Sequence, residues 1–548
     1  MRQALRQNRA QSQVGIARSI PAPVGGWDTV SSLASMPKAN AVILDNWIPR
    51  GDSIEVRRGN IEQCTGTAAP VETLIAWRGA AAGDKLFAAS GVNIYNVTTA
   101  GALPAASYVS AASARWNYTN FANDAGRFAI LANGAQAPIK YDGSTFSANT
   151  ITGTSGAITL APADLKFVMG HKARLHFGEK ERLRVWFLDV NAIAGAAGLL
   201  DLGPVFTKGG SLCGMGRLTL DGGTGPDDYA AYLTTEGQIV LYQGLDPSDA
   251  NNWAEVGVYN VAKPIGDRCL IEYGADLLVV TEAGVFSLSS ILRTAVEEQG
   301  EKALSKRIGP SVSSAALSYG ALFGWQPVLY SGRGGLLIIN VPTAELSTSM
   351  QFVRNYQGGG WCRFTGLNAF CWETANGEIY FGSTLGVYRW DVGASDNGEP
   401  IVPDVLPAFQ DFGNRTVIKD FTMVRALLRA PYIVKPAMNV VTNYDQNTIP
   451  TAVQTVVTPG DISPDDSTII RQDWTGAAGQ GYNGAPRMRF ALTGADDTDR
   501  VAVTSDLATL LLVGPGGSDH ILTRPNLPLD VTIQCVGFDL IFVAGGQL

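Results

Sequence analysis

The densest group of side chains able to do chemistry is HKARLHFGEKERLRVW, residues 171 to 186. In it His171, Lys172, Arg174, Lys180, Arg182 and Arg184 are interleaved with Glu179 and Glu181. Lys180, Arg182 and Arg184 share parity, so on a single strand they would line one face. Such a face is either solvated or an electrostatic contact to a neighbouring subunit or to DNA. His171 and His176 lie five apart on what reads as one strand and would point to opposite sides, which argues against a shared metal. With His520 they are the only histidines. Six cysteines (Cys64, Cys213, Cys269, Cys362, Cys371, Cys535) are scattered without a CxxC pair and read as buried, reduced thiols. Asp227 with Asp228, GLDPSD, and the trio Asp496, Asp497 and Asp499 are acidic, but none follows the calcium-loop pattern. There is no GxSxG elbow and no P-loop, and the glycine pairs 209–210, 222–223 and 334–335 precede no phosphate-binding helix. No catalytic residue, cofactor site or metal site is expected.

The elements that must position these groups announce themselves by repetition. Between about residue 85 and residue 392 the chain writes one phrase seven times: a short apolar run, a glycine, then a second run ending in an aromatic. The glycines align as Gly91, Gly134, Gly178, Gly237, Gly284, Gly334 and Gly377, spaced 43 to 59 residues apart. That spacing is the period of β-propeller blades. Each phrase reads as two strands around a tight turn, where glycine supplies positive φ. One hairpin cannot bury its own apolar face, so the units must gather around a shared axis. Trp77, Trp116, Trp186, Trp325, Trp361 and Trp390 recur about once per unit and read as wedges between blades.

Around this body the chain divides into four parts. Residues 1–27 form a basic arm with Arg2, Arg6, Arg9 and Arg18 and no acid before Asp28. This is a frayed terminus or an arm that orders on an acidic partner. Residues 28–70 are too short for a core of their own, with SIEVRR alternating as a strand and residues 39–47 readable as a helical turn or a strand. Residues 71–394 carry the propeller, with one inserted helix expected at 288–308 (LSSILRTAVEEQGEKALSKRI), weakened by Gly300. After the linker ASDNGEPIVPD, residues 395–548 give another series of short strands, as in a β-sandwich or small barrel. Within the last strand the alternation shifts phase at Gly537, which suggests a bulge. The fold class is all-β.

Composition narrows the function. A hydrophobic fraction of 46% with 16% charge describes a folded chain, and 62 glycines with 27 prolines suit many turns. No eighteen-residue apolar run exists, so no membrane span is expected, and the first residues lack the apolar stretch of a secretory signal. A net charge of −8 argues against a protein that grips phosphates, though not against a surface past which DNA slides. A carbohydrate-binding or carbohydrate-cleaving propeller is the alternative, but the S-x-D-x-G-x-T-W box of sialidase-like propellers has only a loose echo in YDGSTF.

Three phrases point to a family. PAPVGGWDTVSSLASMPKANAVILDNWIPRGDSIEVRRG resembles the opening of the nozzle proteins, or tail tubular proteins B, of short-tailed bacteriophages, through Asp45, Asn46, Trp47, Pro49, Arg57, Arg58 and Gly59. GVFSLSSIL with KALSKRI, and the terminal FDLIFVAGG, are similar to the middle and end of the same proteins. The resemblance implies a virion tail component assembled in the host cytoplasm. It would be a homo-oligomer, a hexamer, attached below the dodecameric adaptor (head-to-tail connector) ring. Packaged double-stranded DNA would be retained and then pass through its lumen without tight binding, and tail fibres or spikes would dock on the propeller. It also implies that the N- and C-terminal segments join into one β-sandwich or barrel-like platform. For the contact to the adaptor or a neighbouring subunit, the candidates are Arg2, Arg6, Arg9, Arg18, Arg57 and Arg58. Lys180, Arg182 and Arg184 are the candidates for a subunit or DNA contact.

Overall fold

The structure, a computed structural model, describes residues 15–544 except 80–82, 222–225, 250, 293, 431–433, 435, 452, 458–468, 472–473, 495–499, 504–509, 514–518 and 523–531. Arg2, Arg6 and Arg9, and the trio Asp496, Asp497 and Asp499, therefore lie outside the described residues. The chain divides into two units, residues 58–399 and residues 1–57 with 400–548.

The first unit is a β-propeller of seven blades in chain order, each built on three or four antiparallel strands. Blade 1 begins with Val71–Trp77, blade 2 with Asn117–Asn123, blade 3 with Leu165–His171 and blade 4 with Leu212–Asp221. Blade 5 begins with Leu270–Tyr273, blade 6 with Gln326–Tyr330 and blade 7 with Cys371–Ala375. Blade 7 supplies three strands from its own segment, and its fourth is Asn60–Thr65 from far upstream, antiparallel to Gly386–Trp390. This pairing closes the ring and removes the edge a linear array would expose. It also moves a boundary: residues 58–70, expected with the N-terminal segment, belong to the propeller.

Apolar cores sit between successive blades. Cys64, Val71 and Cys371 join blades 7 and 1, while Ile75, Trp116 and Leu131 join blades 1 and 2. Phe128, Phe177 and Trp186 join blades 2 and 3. The expected tryptophans are all buried, Trp186 and Trp390 completely. Every cysteine is a buried free thiol.

Two sequence expectations are corrected in this unit. Gly91, Gly134, Gly237, Gly284, Gly334 and Gly377 have positive φ, but Gly178 does not and lies inside the strand Arg174–Glu179. A Cβ there would stand 3.3 Å from Leu212 and Phe167, so this glycine serves close packing, and the turn follows it, with Glu181 at φ 56. The inserted segment is helical but interrupted, as Leu288–Ile291 and Val296–Lys302, and a longer helix, Gly309–Tyr319, follows beyond the expected end. Ala295 and Ala303 take extended ψ of 145° and 134°. The break after Lys302 follows from competition by the sheet: Leu304 N–H donates to Val285 O at 2.9 Å and Val285 N–H to Ser305 Oγ at 2.9 Å.

In the second unit the chain ends meet. Ile16–Pro21 pairs antiparallel along its whole length with the last strand, Gln534–Ala544, from Ile16 opposite Phe542 to Pro21 opposite Gly537. Gln534–Ala544 pairs on its other side with Lys419–Ala430, and the register slips between Leu427 and Leu428, opposite Gly537 and Cys535. The expected bulge is there. Asp539 ties three strands together, accepting from Ser19 Oγ at 2.5 Å and Arg425 Nε at 2.8 Å. Residues 40–45 form a strand paired with Asp404–Pro407, and Trp47 meets Phe490 edge to face at 6.0 Å.

Candidate functional site

The first strand of every blade contributes to one channel of about 580 Å³. Its chemistry comes from Arg78, Arg217, Arg268, Asp267, Glu272 and Glu373, with Tyr118 on the wall. On blade 2 the whole run from Trp116 to Asn120 lines it.

The acids of the channel are each engaged. Glu373 Oε2 accepts the Tyr118 hydroxyl at 2.6 Å, Oε1 accepts the Thr374 N–H at 2.9 Å, and Arg78 Nη2 lies 3.6 Å from the same carboxylate. Burial pushes the Glu373 carboxyl up, against the opposing pull of Tyr118 and the nearby guanidinium of Arg78. Burial, with Glu373 beside it, pushes the Tyr118 phenol up as well. Arg217 Nη2 pairs with Glu272 at 2.7 Å, and Lys166 Nζ with Asp267 at 2.6 Å.

Arg268 differs. It makes no ion pair within 4 Å but donates to three neutral oxygens: Glu72 O at 3.1 Å, Thr73 Oγ1 at 2.6 Å and Trp116 O at 3.1 Å. Its side chain thus reaches from the start of blade 5 to blades 1 and 2. Burial pushes its guanidinium down, with Cys371, Asp267, Glu72 and Glu373 opposing the shift. Behind it, the Phe323 ring lies between two guanidiniums, 4.2 Å from Arg115 and 5.0 Å from Arg268. Phe323, on the loop that follows helix Gly309–Tyr319, backs the channel wall at Arg268.

The residues singled out by the sequence are not brought together. Arg18 is exposed on the strand Ile16–Pro21. Arg57 is 1% exposed and donates through Nε to Asn46 Oδ1 at 2.8 Å, so it cannot be a contact to an outside partner. Asn46, at φ 60°, also donates to Val402 O at 2.9 Å, which makes the Asn46–Arg57 pair a brace of the fold. Arg58 is half-buried, and its carbonyl accepts the Trp390 indole N–H at 3.2 Å.

Lys180, Arg182 and Arg184 do not line one strand, because the strand starts at Arg184 and the other two lie in the preceding turn. Lys180 Nζ donates to Gly134 O at 2.7 Å and pairs with Asp164 at 3.2 Å, while Arg184 lies 3.8 Å from Glu179. The preceding turn, at Lys172 and Ala173, overturns the histidine parity. His171 and His176 stand on adjacent strands of one hairpin, with ring centroids 6.1 Å apart. They are buried, as is Tyr232, whose hydroxyl lies 3.0 Å from His176 Nδ1. Among the described residues no three His, Cys, Asp or Glu gather as a metal site.

Sequence reasoning missed Arg78, Tyr118, Arg268 and Glu373. They come from blades 1, 2, 5 and 7, with Tyr118 and Glu373 on first strands and Arg78 and Arg268 just outside the ends of theirs, and the one available signal was a charged or polar residue on or beside a first strand.

No protein-family model and no curated protein sequence matches the chain. Among solved structures, BBS1N in complex with ARL6DN is similar at 9% identity and a TM-score of 0.37, over 64% of this chain and 98% of that one. YCF48 from Cyanidioschyzon merolae is similar at 10% identity and a TM-score of 0.35, over 61% of this chain and 98% of that one. Raptor of Chaetomium thermophilum is similar at 9% identity and a TM-score of 0.33, over 61% of this chain and 29% of that one.

Proposed function

We propose that this chain is a structural subunit of the tail nozzle of a short-tailed bacteriophage. In this reading it is a hexamer attached to the adaptor ring, retaining packaged DNA and conducting it during ejection. The observation that carries the reading is the pairing of Ile16–Pro21 with Gln534–Ala544. It places the opening and closing phrases of the resemblance in one unit, as a platform made from both chain ends requires. A net charge of −8 on each copy favours sliding of DNA over sticking.

The test is the mass of the native protein, alone and mixed with the adaptor of its own phage, by light scattering and negative-stain microscopy. A six-fold ring or an adaptor-dependent tube is the expected result. A monomer indifferent to the adaptor would overturn the proposal. The second reading, a carbohydrate-binding or carbohydrate-cleaving propeller, draws on the three acids that line the channel, Asp267, Glu272 and Glu373. Release of sugar from host polysaccharide, lost on Glu373→Gln, would establish it.

A further inference from the structure

The charges in the propeller channel do not balance locally. Arg78 is matched by Asp84 at 2.5 Å and by Glu373, and Arg217 by Glu272. Asp267 is matched from outside the channel by Lys166. Arg268 alone among the channel's cations has no carboxylate within ion-pair distance, and its three acceptors are neutral. A guanidinium carries five N–H donors. Three are used here, which leaves Nε–H and one Nη1–H without a protein acceptor. A guanidinium in a partly enclosed channel, with free N–H donors and no carboxylate in contact, gains from an anion that completes its hydrogen bonds.

We propose that the channel is a binding site for a small oxyanion, with Arg268 as the residue that recognises it. The volume of about 580 Å³ is that of a small-molecule site rather than of a single-ion cavity. The floor is preorganised: Phe323 lies against the guanidinium, and Thr73 and two backbone carbonyls fix its plane. Little side-chain entropy is then lost on binding. The paired acids nearby set a limit on charge. Glu373 and Glu272 would repel a dianion more than a monoanion, so a carboxylate is favoured over doubly charged phosphate. The site lies within one propeller and concerns one subunit, so it stands apart from the nozzle reading and from oligomeric state.

The experiment is calorimetric titration of the full-length protein with sodium acetate, sodium glucuronate and sodium phosphate at constant ionic strength. Saturable binding of at least one is expected, with affinity reduced about tenfold or more in Arg268→Gln, the loss of hydrogen bonds to a charged group. Glucuronate preferred over acetate would identify an acidic sugar, and phosphate preferred over both would overturn the charge limit drawn from Glu373 and Glu272. Wild-type crystals soaked in perrhenate, a monovalent oxyanion, give a second measurement that needs no variant. An anomalous peak within hydrogen-bond distance of Arg268 is the expected result. Absence of both heat and a channel peak, or an Arg268→Gln protein that binds like wild type, would overturn the proposal.

Discussion

Acidification should unlock the interface between blades 3 and 4 before it reaches the carboxylates. His171 and His176 are held neutral there. Burial pushes His171 down to about 4, helped by Lys172 and Arg217 and opposed by Asp228, and pushes His176 down to about 3, helped by His171 and Arg174. Both lie below the ordinary histidine value near 6.5, so the unfolded chain takes up protons first. Their stabilising effect is therefore complete above pH 6.5 and is lost as pH falls toward the folded values. Between pH 7 and pH 5 each histidine should cost about 2 kcal/mol, or about 4 kcal/mol for the pair. That is a large part of ordinary domain stability. The assay is thermal unfolding followed by tryptophan emission from pH 8 to pH 5. The Trp253 ring stacks on His176 with centroids 5.9 Å apart and planes at 25°, which makes it a local reporter. His176→Asn leaves an amide to meet the Tyr232 hydroxyl and removes the titrating ring, so it should flatten the pH dependence by about half. A wild-type midpoint that stays level down to pH 5, or an unchanged slope in the variant, would refute the reasoning.

Further outcomes separate structural arginines from exposed ones. Arg57→Met should destabilise the chain by about 2 to 4 kcal/mol in urea unfolding, by removing the Nε–H donor to Asn46 Oδ1 in a buried site. On the proposed function, Arg18→Glu should leave the unfolding midpoint alone and weaken adaptor attachment in a pull-down. Gly59→Ala places a Cβ 1.8 Å from the Ser395 carbonyl oxygen, and its soluble yield and midpoint should both fall. The six buried thiols should react with a disulfide reagent only on the timescale of unfolding, as followed by absorbance with and without denaturant.

The repeat was legible because its cause is local. A hairpin turn at Gly91 or Gly377 needs positive φ whatever surrounds it, and a tryptophan such as Trp186 needs a core. Failures arise where distant segments decide. Gly178 looked like its counterparts but is small because Leu212 and Phe167 crowd it. The helical rhythm of 288–308 was real, yet Val285 draws Leu304 and Ser305 into its own hydrogen bonds. His171 and His176 were assigned to one strand because two ordinary residues, Lys172 and Ala173, make a turn usually left to glycine. The channel was illegible for the same reason at larger scale: Arg268 finds its acceptors roughly 150 to 200 residues upstream. Among the resemblance residues, Asn46, Trp47 and Arg57 are buried. Their chemistry is that of holding the fold, and a partner contact must be sought on exposed residues such as Arg18.

The two closures of this chain carry unequal loads, and that difference can be measured. Asn60–Thr65 closes the propeller as the fourth strand of blade 7, bonded along its length to Gly386–Trp390 and on its other side to the two-residue strands Gly101–Ala102 and Ser395–Asp396. Gln534–Ala544, by contrast, is central to its sheet, with Lys419–Ala430 on one side and Ile16–Pro21 with Ile54–Val56 on the other. Removing it strips partners from three strands at once and leaves Ser19 and Arg425 without Asp539. Ending the chain at residue 533 should therefore melt the unit made from both chain ends while the seven blades, with their own cores, stay intact. Limited proteolysis should yield a protected fragment close to residues 58–399, and, on the proposed function, assembly into rings should disappear. A truncated chain that resists protease over residues 400–533 would mean that this unit does not depend on the meeting of its termini, and the argument for a shared platform would fall with it.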